Sequence, residues 1–394
     1  MHLMYSKSNS TPRVALTTYS VKPRGGVVHT LELAEALQQK GVDVTIVAMG
    51  DPGKGFFREV NAPVRIIEAP QWGETLDERV FSWIDAMTCG LQGMRTDFDI
   101  IHSQDCISAR AAARVRDDGA PFKVLRTVHH VDDFTTQALI DCQRKAILEP
   151  DRVLVVSRLW QRQLQEDYGV SADIVTNGVR TERFTKGITP ERRAELRKKI
   201  GVGDRFLYLT IGGIEPRKGS EFLIKALAKL NHRRHDGPAL AVIGGHSFQD
   251  YREYREQALE SASQLNLKLG VDLILLGTVP QEEMTDWMGA ADGFVFPSIN
   301  EGWGLVILEA ASAGLPVVAS DIPVFREFLT HGQDAILTHA RDYRSLAAGM
   351  ETLINEPVTR ERLTKHGPTL ANRYPWSNTA DQHIGIYRRM AASD

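Results

Sequence analysis

The chain has few cysteines, little net charge and no long apolar run. Its three cysteines, among 394 residues, are an odd number without the spacing of a zinc site, so we expect reduced thiols. A formal net charge of −3 argues against a dedicated nucleic-acid binder, which normally carries a strongly basic face. No stretch approaches the roughly 18 apolar residues of a transmembrane helix.

The sequence also lacks an apolar signal core and a true phosphate-binding P-loop. Residues 1–12 are polar and rich in serine, so we expect no signal peptide and a cytoplasmic protein. Residues 50–55 contain glycines and a lysine, but the spacing is wrong for a P-loop and no Ser or Thr follows Lys54. A surface loop is the expected structure there.

Short, uniformly apolar runs alternate with amphipathic stretches along the chain. The run at 14–18 leads into a helical pattern over 27–40, and another apolar run follows at 42–48. This is a βαβ pattern whose strands are too apolar for a sheet exposed on one face. A fresh series begins at Phe206, beyond a boundary near residues 179–204. We therefore predict an α/β protein with two doubly wound, Rossmann-like domains.

The segment 298–309, SINEGWGLVILE, is the most informative stretch of the chain. It places Glu301 and Glu309 on either side of a glycine-flanked turn that runs into a helix. Glycines let a backbone approach a ligand closely, and the start of a helix offers free N–H groups to a phosphate. Since acids beside an anion site are suited to binding hydroxyls, the pattern indicates a nucleotide-sugar.

A second phosphate-directed pattern spans residues 211–219, IGGIEPRKG. Gly212 and Gly213 follow an apolar strand, and two adjacent cations, Arg217 and Lys218, precede a helical stretch. A lysine at the positive end of a helix dipole is unfavourable unless it serves an anion, although an exposed lysine remains the plain alternative. We interpret this pattern as a phosphate site.

Together these segments resemble the C-terminal half of retaining glycosyltransferases of the GT4 family, which have the GT-B fold. The family's E-x7-E motif corresponds to Glu301 and Glu309, and its glycine-lysine element ends here at Lys218 and Gly219. Four further segments follow in the family's order: Gly25 with Gly26, then residues 127–129, 177–179 and 314–320.

Two positions depart from the family's pattern. Gly213 stands where the family usually has an arginine that contacts the diphosphate, and Arg217 is the candidate to supply that charge. Arg180 stands where an aspartate usually follows the Asn-Gly-Val element. Because of the second departure, the resemblance makes no prediction for the details of this hinge region.

The resemblance implies two Rossmann-like domains that face each other across a cleft. The acceptor side comprises residues 1–180, completed by a terminal helix at 376–394, and the donor side comprises residues 181–375. The implied reaction moves a sugar, with retention, from a nucleotide-diphosphate sugar to an acceptor hydroxyl, with no metal or other cofactor. The implied catalytic residues are His129, Glu301 and Lys218. The implied donor-binding residues are Gly25, Gly26, Gly212, Gly213, Arg217, Lys218, Asn300, Gly302, Trp303, Gly304, Leu305 and Glu309.

The resemblance also divides the roles among these side chains. Glu309 holds the ribose, Glu301 faces the transferred sugar, and His129 touches the donor sugar or its phosphate. A structural role for His129 remains the alternative. The cluster of His129, His130, Asp132 and Asp133 suggests a metal site, but residues on an extended chain alternate between opposite faces, which disfavours one.

Two other functions are compatible with the same fold. A sugar-nucleotide epimerase or hydrolase needs no acceptor, and a non-catalytic homologue would be favoured by loss of the acid pair or the lysine, all of which are present. The basic stretch 190–200 is either a solvated linker helix or an edge that contacts anionic lipid or acceptor, so peripheral membrane contact stays unsupported. Specificity for the nucleotide base is expected near residues 244–246 and 278–280, and the acceptor is not encoded in any motif.

Overall fold

The computed structural model describes residues 11–71, 73–185, 187–232, 236–245 and 251–392. Its contacts divide the chain into an N-terminal unit, residues 1–177 with 376–394, and a C-terminal unit, residues 178–375. The division drawn from the resemblance set the first boundary at residue 180 and the second at residue 375.

The N-terminal unit contains a seven-stranded parallel sheet in the order β3-β2-β1-β4-β5-β6-β7. Its strands are β1 (Val14–Thr18), β2 (Val44–Gly50), β3 (Val64–Glu68), β4 (Ile100–Ser103), β5 (Lys123–Val128), β6 (Arg152–Val155) and β7 (Asp173–Ile174). Its helices are α1 (Gly25–Gln39), α2 (Leu76–Gln92), α3 (Cys106–Asp117), α4 (Gln137–Leu148), α5 (Arg158–Tyr168) and the terminal α14 (Trp376–Ala392).

The C-terminal unit contains a six-stranded parallel sheet in the order β10-β9-β8-β11-β12-β13. Its strands are β8 (Leu207–Ile211), β9 (Ala239–Ile243), β10 (Leu273–Gly277), β11 (Gly293–Phe296), β12 (Val317–Ser320) and β13 (Ile336–Thr338). Its helices are α6 (Thr181–Phe184), α7 (Pro190–Lys199), α8 (Ser220–His232), α9 (Arg252–Gln264), α10 (Gln281–Ala290), α11 (Leu305–Ser312), α12 (Tyr343–Asn355) and α13 (Pro357–Ala371), with short 3₁₀ turns at Pro216–Lys218 and Phe325–Glu327.

The central strands are apolar because helices cover both faces of each sheet. Every residue of β1, β9, β11 and β12 is buried, as parallel sheets of this kind require. In such sheets ligands bind beyond the carboxyl ends of the strands, where the strand order reverses. That point lies between β1 and β4 in the N-terminal unit and between β8 and β11 in the C-terminal unit. The candidate residues follow these strands or their neighbours.

Helix α7 is tied to the C-terminal unit by its arginines. Arg192 Nε lies 2.8 Å from Asp286, and Arg193 Nη2 lies 2.6 Å from Asp292. The buried Arg197 reaches the same Asp292 at 3.1 Å and also donates to backbone carbonyls. These three charges therefore have internal partners, whereas Lys198 and Lys199 of the same helix are exposed.

In the part of the chain that the structure describes, no helix combines the length and apolar character needed to cross a membrane. Cys89, Cys106 and Cys142 all have free thiols. Residues 1–10, which include most of the polar N-terminal stretch, lie outside the described residues. Residues 51–54 are exposed, so the segment that imitates a P-loop is a surface turn.

Candidate active site

Two glycine turns meet at the carboxyl edge of the C-terminal sheet. Gly212 and Gly213 have φ angles of +130° and +75°, and their N–H groups donate to the carbonyl of Ile243 at 2.8 and 3.1 Å. A Cβ on Gly244, in the neighbouring turn, would lie 2.3 Å from the Gly213 nitrogen. Only glycine allows this close backbone contact. His246, in the same expected specificity region, lies outside the described residues.

The 3₁₀ turn that carries the two cations rests on the end of β11. It ends at Gly219, whose φ is +66° and whose added Cβ would lie 2.1 Å from the Pro297 carbonyl oxygen. From the other side, the Ile299 N–H donates to the Arg217 carbonyl at 2.8 Å. The two motifs that the sequence separates are thereby brought into contact.

Glu301 lies at the centre of this contact. Its Oε1 accepts from Lys218 Nζ at 2.5 Å and from the Ser298 hydroxyl at 2.9 Å. Arg217 Nη1 lies 3.3 Å from the same oxygen, and Lys218 Nζ lies 4.6 Å from the centre of the Phe296 ring. The carboxylate assigned to the sugar is therefore paired with both cations assigned to the phosphates.

Burial and charge oppose each other in this cluster. Burial by itself raises the pKa of Glu301, but the charges of Lys218 and Arg217 and two hydrogen bonds outweigh it, so the pKa lies below its ordinary value. Burial lowers the pKa of Lys218, and the charge of Glu301 opposes that shift only in part. The lysine side chain is only 13% exposed, so its ammonium is a fixed, poorly hydrated charge.

Helix α11 begins without a side-chain cap. Its N-cap, Gly304, has φ +104°, and a Cβ there would approach the Phe325 ring to 2.8 Å. The first N–H groups of a helix have no acceptor within it, and they and the helix dipole favour an anion. Leu305 and Glu309 are both partly exposed and lie one helical turn apart, on the same face of α11. Glu309 is therefore on the helix face that leads to this N-terminus.

The remaining residues of the turn take different positions. Asn300 is exposed and Gly302 is half-buried. Trp303 is buried at 3% exposure, with its ring 4.8 Å from that of Phe328 and 5.6 Å from that of Tyr374. The indole of Trp303 thus packs the turn against an aromatic cluster, and only its backbone is suited to contact a ligand.

In the N-terminal unit, the glycine pair lies beside His129. Gly25 and Gly26 open α1, and a Cβ on Gly26 would come within 3.8 Å of the His129 ring, whereas one on Gly25 would meet open space. His129 follows β5 directly, is half-buried, and has its Nε2 3.1 Å from Gln104 Oε1. Burial, followed by the charges of His130 and Arg126, lowers the pKa of His129 to about 3. Its imidazole is therefore neutral near pH 7.

Three further histidines surround His129, and sequence reasoning did not find them as a group. His29 lies with its ring centre 4.6 Å from that of His129, and its Nδ1 is 2.9 Å from the Asn177 amide oxygen. His102 bonds Tyr387 and Thr127, both at 2.8 Å, and lies 5.3 Å from His383 on the terminal helix. The sequence signal for this group was the placement of His383 and Tyr387 one helical turn apart, on one face of the terminal helix.

This group is not arranged as a metal centre. Among the residues that the structure describes, no three His, Cys, Asp or Glu side chains converge on a common point suited to a metal ion. Within the cluster that suggested a metal, His130 and Asp132 pair with each other, with Nε2 and Oδ1 3.2 Å apart.

Known proteins match nearly the whole chain. The family model described as Glycosyl transferases group 1 matches residues 192–369, and that of Glycosyltransferase Family 4 matches residues 23–183. A D-inositol 3-phosphate glycosyltransferase of Frankia alni is 30% identical over 398 residues, which cover 92% of this chain and 94% of that protein. A phosphatidyl-myo-inositol mannosyltransferase of Mycobacterium leprae is 28% identical, with coverage of 95% and 96%.

Solved structures show the same fold. HepE of Anabaena, in complex with UDP and glucose, superposes with a TM-score of 0.80 at 18% identity and covers 96% of this chain and 100% of its own. Sucrose-phosphate synthase from Thermosynechococcus elongatus has a TM-score of 0.80 at 20% identity, with coverage of 97% and 100%. The expected GT-B class, with two parallel α/β sheets flanked by helices, is confirmed. On the strength of the matched family models and a relative 30% identical over nearly its full length, the chain belongs to the GT4 family of glycosyltransferases.

Proposed function

We propose that this glycosyltransferase transfers a sugar, with retention, from a nucleoside-diphosphate sugar to an acceptor hydroxyl and needs no metal ion. The observation that carries the proposal is the cluster of Lys218, Arg217 and Glu301 beside the uncapped start of α11. It combines two fixed cations, free helix N–H groups and a carboxylate within one unit.

The chemistry of such a donor requires this combination. As the anomeric bond breaks, negative charge grows on the leaving diphosphate, and preorganised cations and N–H groups stabilise that charge in the transition state. Lys218 and Arg217 supply the cations, and the backbone around Gly304 and Leu305 supplies the N–H groups. A site of this kind replaces the charge that a metal ion supplies in other enzymes.

The carboxylates take the hydroxyl groups of the donor in this proposal. Glu309, on the partly exposed face of α11, binds the ribose, and Glu301 turns from its cations toward the transferred sugar when the diphosphate arrives. The solved complexes of HepE with UDP and with UDP-glucose support a uridine diphosphate donor as the first to test. The glycine turn at Gly212 and Gly213 lets the backbone approach the phosphates closely, and His129 provides a neutral hydrogen-bonding group to the transfer.

A thermal-shift panel of nucleoside diphosphates tests the donor site directly. The matching diphosphate, at 100 times its dissociation constant, should add about 2.7 kcal/mol of stability, and the others should add less. The shift should persist in the presence of a chelator. If none of the panel stabilises the protein, the assignment of the C-terminal unit to a nucleotide is wrong.

Replacement of Lys218 tests the role of the cation. Lys218→Ala should reduce diphosphate affinity and slow turnover by at least ~10²-fold, because one preorganised group is lost. Lys225→Ala is the matched control, since Lys225 lies on α8 of the same unit with 42% of its side chain exposed. Wild-type turnover in Lys218→Ala would contradict the proposal. With an active donor and acceptor, the anomeric configuration of the product, read by NMR, decides between retention and inversion.

A further inference from the structure

Gln104 is a buried side chain whose only polar contact is to His129 among the residues that the structure describes. It follows β4 directly, is 4% exposed, and its N–H donates to the Thr17 carbonyl at 3.0 Å. Its amide oxygen lies 3.1 Å from His129 Nε2, and its amide nitrogen has no hydrogen-bond partner among the described residues. In the sequence it is one of several polar residues that follow an apolar run.

The chemistry of the contact constrains the imidazole. An amide oxygen accepts hydrogen bonds and cannot donate them, so His129 Nε2 must carry the proton. In a neutral imidazole the other nitrogen, Nδ1, is then an acceptor. The reversed amide would place its NH₂ group against Nε2 and would move the ring proton to Nδ1. The two orientations therefore predict opposite tautomers.

The groups around His129 hold the ring neutral and in place. His29 packs edge-on against it from α1, and the Asn177 oxygen fixes His29 in turn. The other titratable groups that act on its charge are His383 of α14, His130 of the following turn, and Arg126 of β5. All of these groups disfavour a positive charge on the His129 ring. The ring is therefore neutral, and its tautomer is the property that still has to be fixed.

We infer that Gln104 is a positioning residue of the transfer reaction: its amide oxygen fixes His129 as the Nε2–H tautomer and leaves Nδ1 as the acceptor that the ring presents. The inference rests on the proposed function in assigning His129 to the reaction. A ring with a fixed tautomer meets a substrate hydroxyl without first rearranging its proton, and such preorganisation is realised in turnover more than in ground-state binding.

The first test needs no activity. Long-range ¹H–¹⁵N spectra of the wild-type protein, with the His129 signals assigned from His129→Ala, should show a proton on Nε2 and none on Nδ1. In Gln104→Leu the two tautomers should mix. A wild-type proton on Nδ1, or an unchanged ring in Gln104→Leu, would overturn the inference even if the enzyme uses the proposed donor.

The second test uses turnover. Gln104→Leu should lower kcat about tenfold or more, the scale for loss of an orienting partner, with nucleoside-diphosphate affinity unchanged. Gln104→Glu keeps an acceptor but adds negative charge, so it should recover part of kcat and add a new limb to the pH profile between about pH 5 and 8. A Gln104→Glu profile identical to wild type would count against the inference.

Gln143 offers a matched control in the same unit. It is also buried, but its amide bonds the backbone of Asp132, at 2.8 and 2.9 Å. Gln143→Leu should lower stability without changing the tautomer of His129 or the pH profile. If Gln143→Leu reproduces the Gln104→Leu loss of kcat, the effect is structural. The diphosphate thermal shift judges the proposed function separately, because that site belongs to the C-terminal unit.

Discussion

At the scale of single residues, Glu301 and Glu309 belong to one motif but differ in their surroundings. Glu301 is buried against Lys218 and Arg217, whereas Glu309 is partly exposed on α11. The first carboxylate is paired with both cations, and the second lies further along the chain, on α11. We therefore expect Glu301→Ala and Glu309→Ala to differ in their effect on binding of the nucleoside diphosphate.

Glu309→Ala should weaken binding of the free nucleoside diphosphate by roughly 1 to 3 kcal/mol, because hydrogen bonds to a charged group are lost. Glu301→Ala should leave that binding unchanged or tighten it, since it releases Lys218 and Arg217 for the phosphates, and should still impair turnover. Calorimetric titration of both variants with the diphosphate measures the difference. Equal weakening in both variants would show that Glu301 supports the phosphate turn and does not face the sugar.

At the scale of elements, a buried ion cluster ties the loop after β2 to α1. Arg58 reaches Glu32 at 3.0 Å and Glu35 at 2.6 Å, with side chains that are 10%, 4% and 2% exposed. Both glutamates lie on the helix that Gly25 and Gly26 open. The cluster therefore orders the helix that carries one of the candidate ligand turns.

Arg58→Ala should destabilise the N-terminal unit by about 3 to 5 kcal/mol, because it removes a cation from two buried carboxylates. Arg65→Ala is the control, since the Arg65–Asp97 pair is largely exposed and such pairs contribute about 0 to 1 kcal/mol. Denaturant unfolding of both variants provides the comparison. A loss in Arg58→Ala no larger than in Arg65→Ala would mean that the buried carboxylates find other partners.

At the scale of the whole chain, four histidines from distant parts of the sequence meet in the N-terminal unit. Burial is the largest cause that lowers their pKa values: to about 3 for His129, to about 4 for His383, and well below 6.5 for His29 and His102. Below pH 6.5 these histidines bind protons in the unfolded chain but stay neutral in the folded unit. The contribution of these histidines to the stability of the unit should therefore be complete above that pH and fall as the pH drops from about 6.5 toward 4.

Each histidine contributes up to about 1.4 kcal/mol per pH unit within that window. The free energy of unfolding of the N-terminal unit, followed by hydrogen exchange of β4 and β5 amides between pH 7 and 5, should show the fall. His383→Phe should reduce the slope, and substitution of the exposed His339 by Gln should not. A slope that is unchanged by His383→Phe would show that other groups take up the protons.

The sequence by itself determined the elements and the local shape of the ligand turns. Continuous apolar runs predicted β8 and β11, because a strand covered by helices on both faces contains almost only apolar residues. Gly212, Gly219 and Gly304 lie in the turns that the motifs predicted, and all three have positive φ, a conformation that glycine adopts readily. The acidic motif indicated a site for the same reason, since its charges and its glycines are adjacent in the chain.

Only the tertiary structure decided which of these groups are partners. Glu301 pairs with Lys218 because Gly219 lets its turn rest on Pro297, and the arginines of α7 bind Asp286 and Asp292 instead of solvent. The setting of His129 is built by Gln104, His29 and the terminal helix from segments that no local pattern relates. Such contacts depend on the register of strands and the packing of helices far apart in sequence, and periodicity carries no information about either.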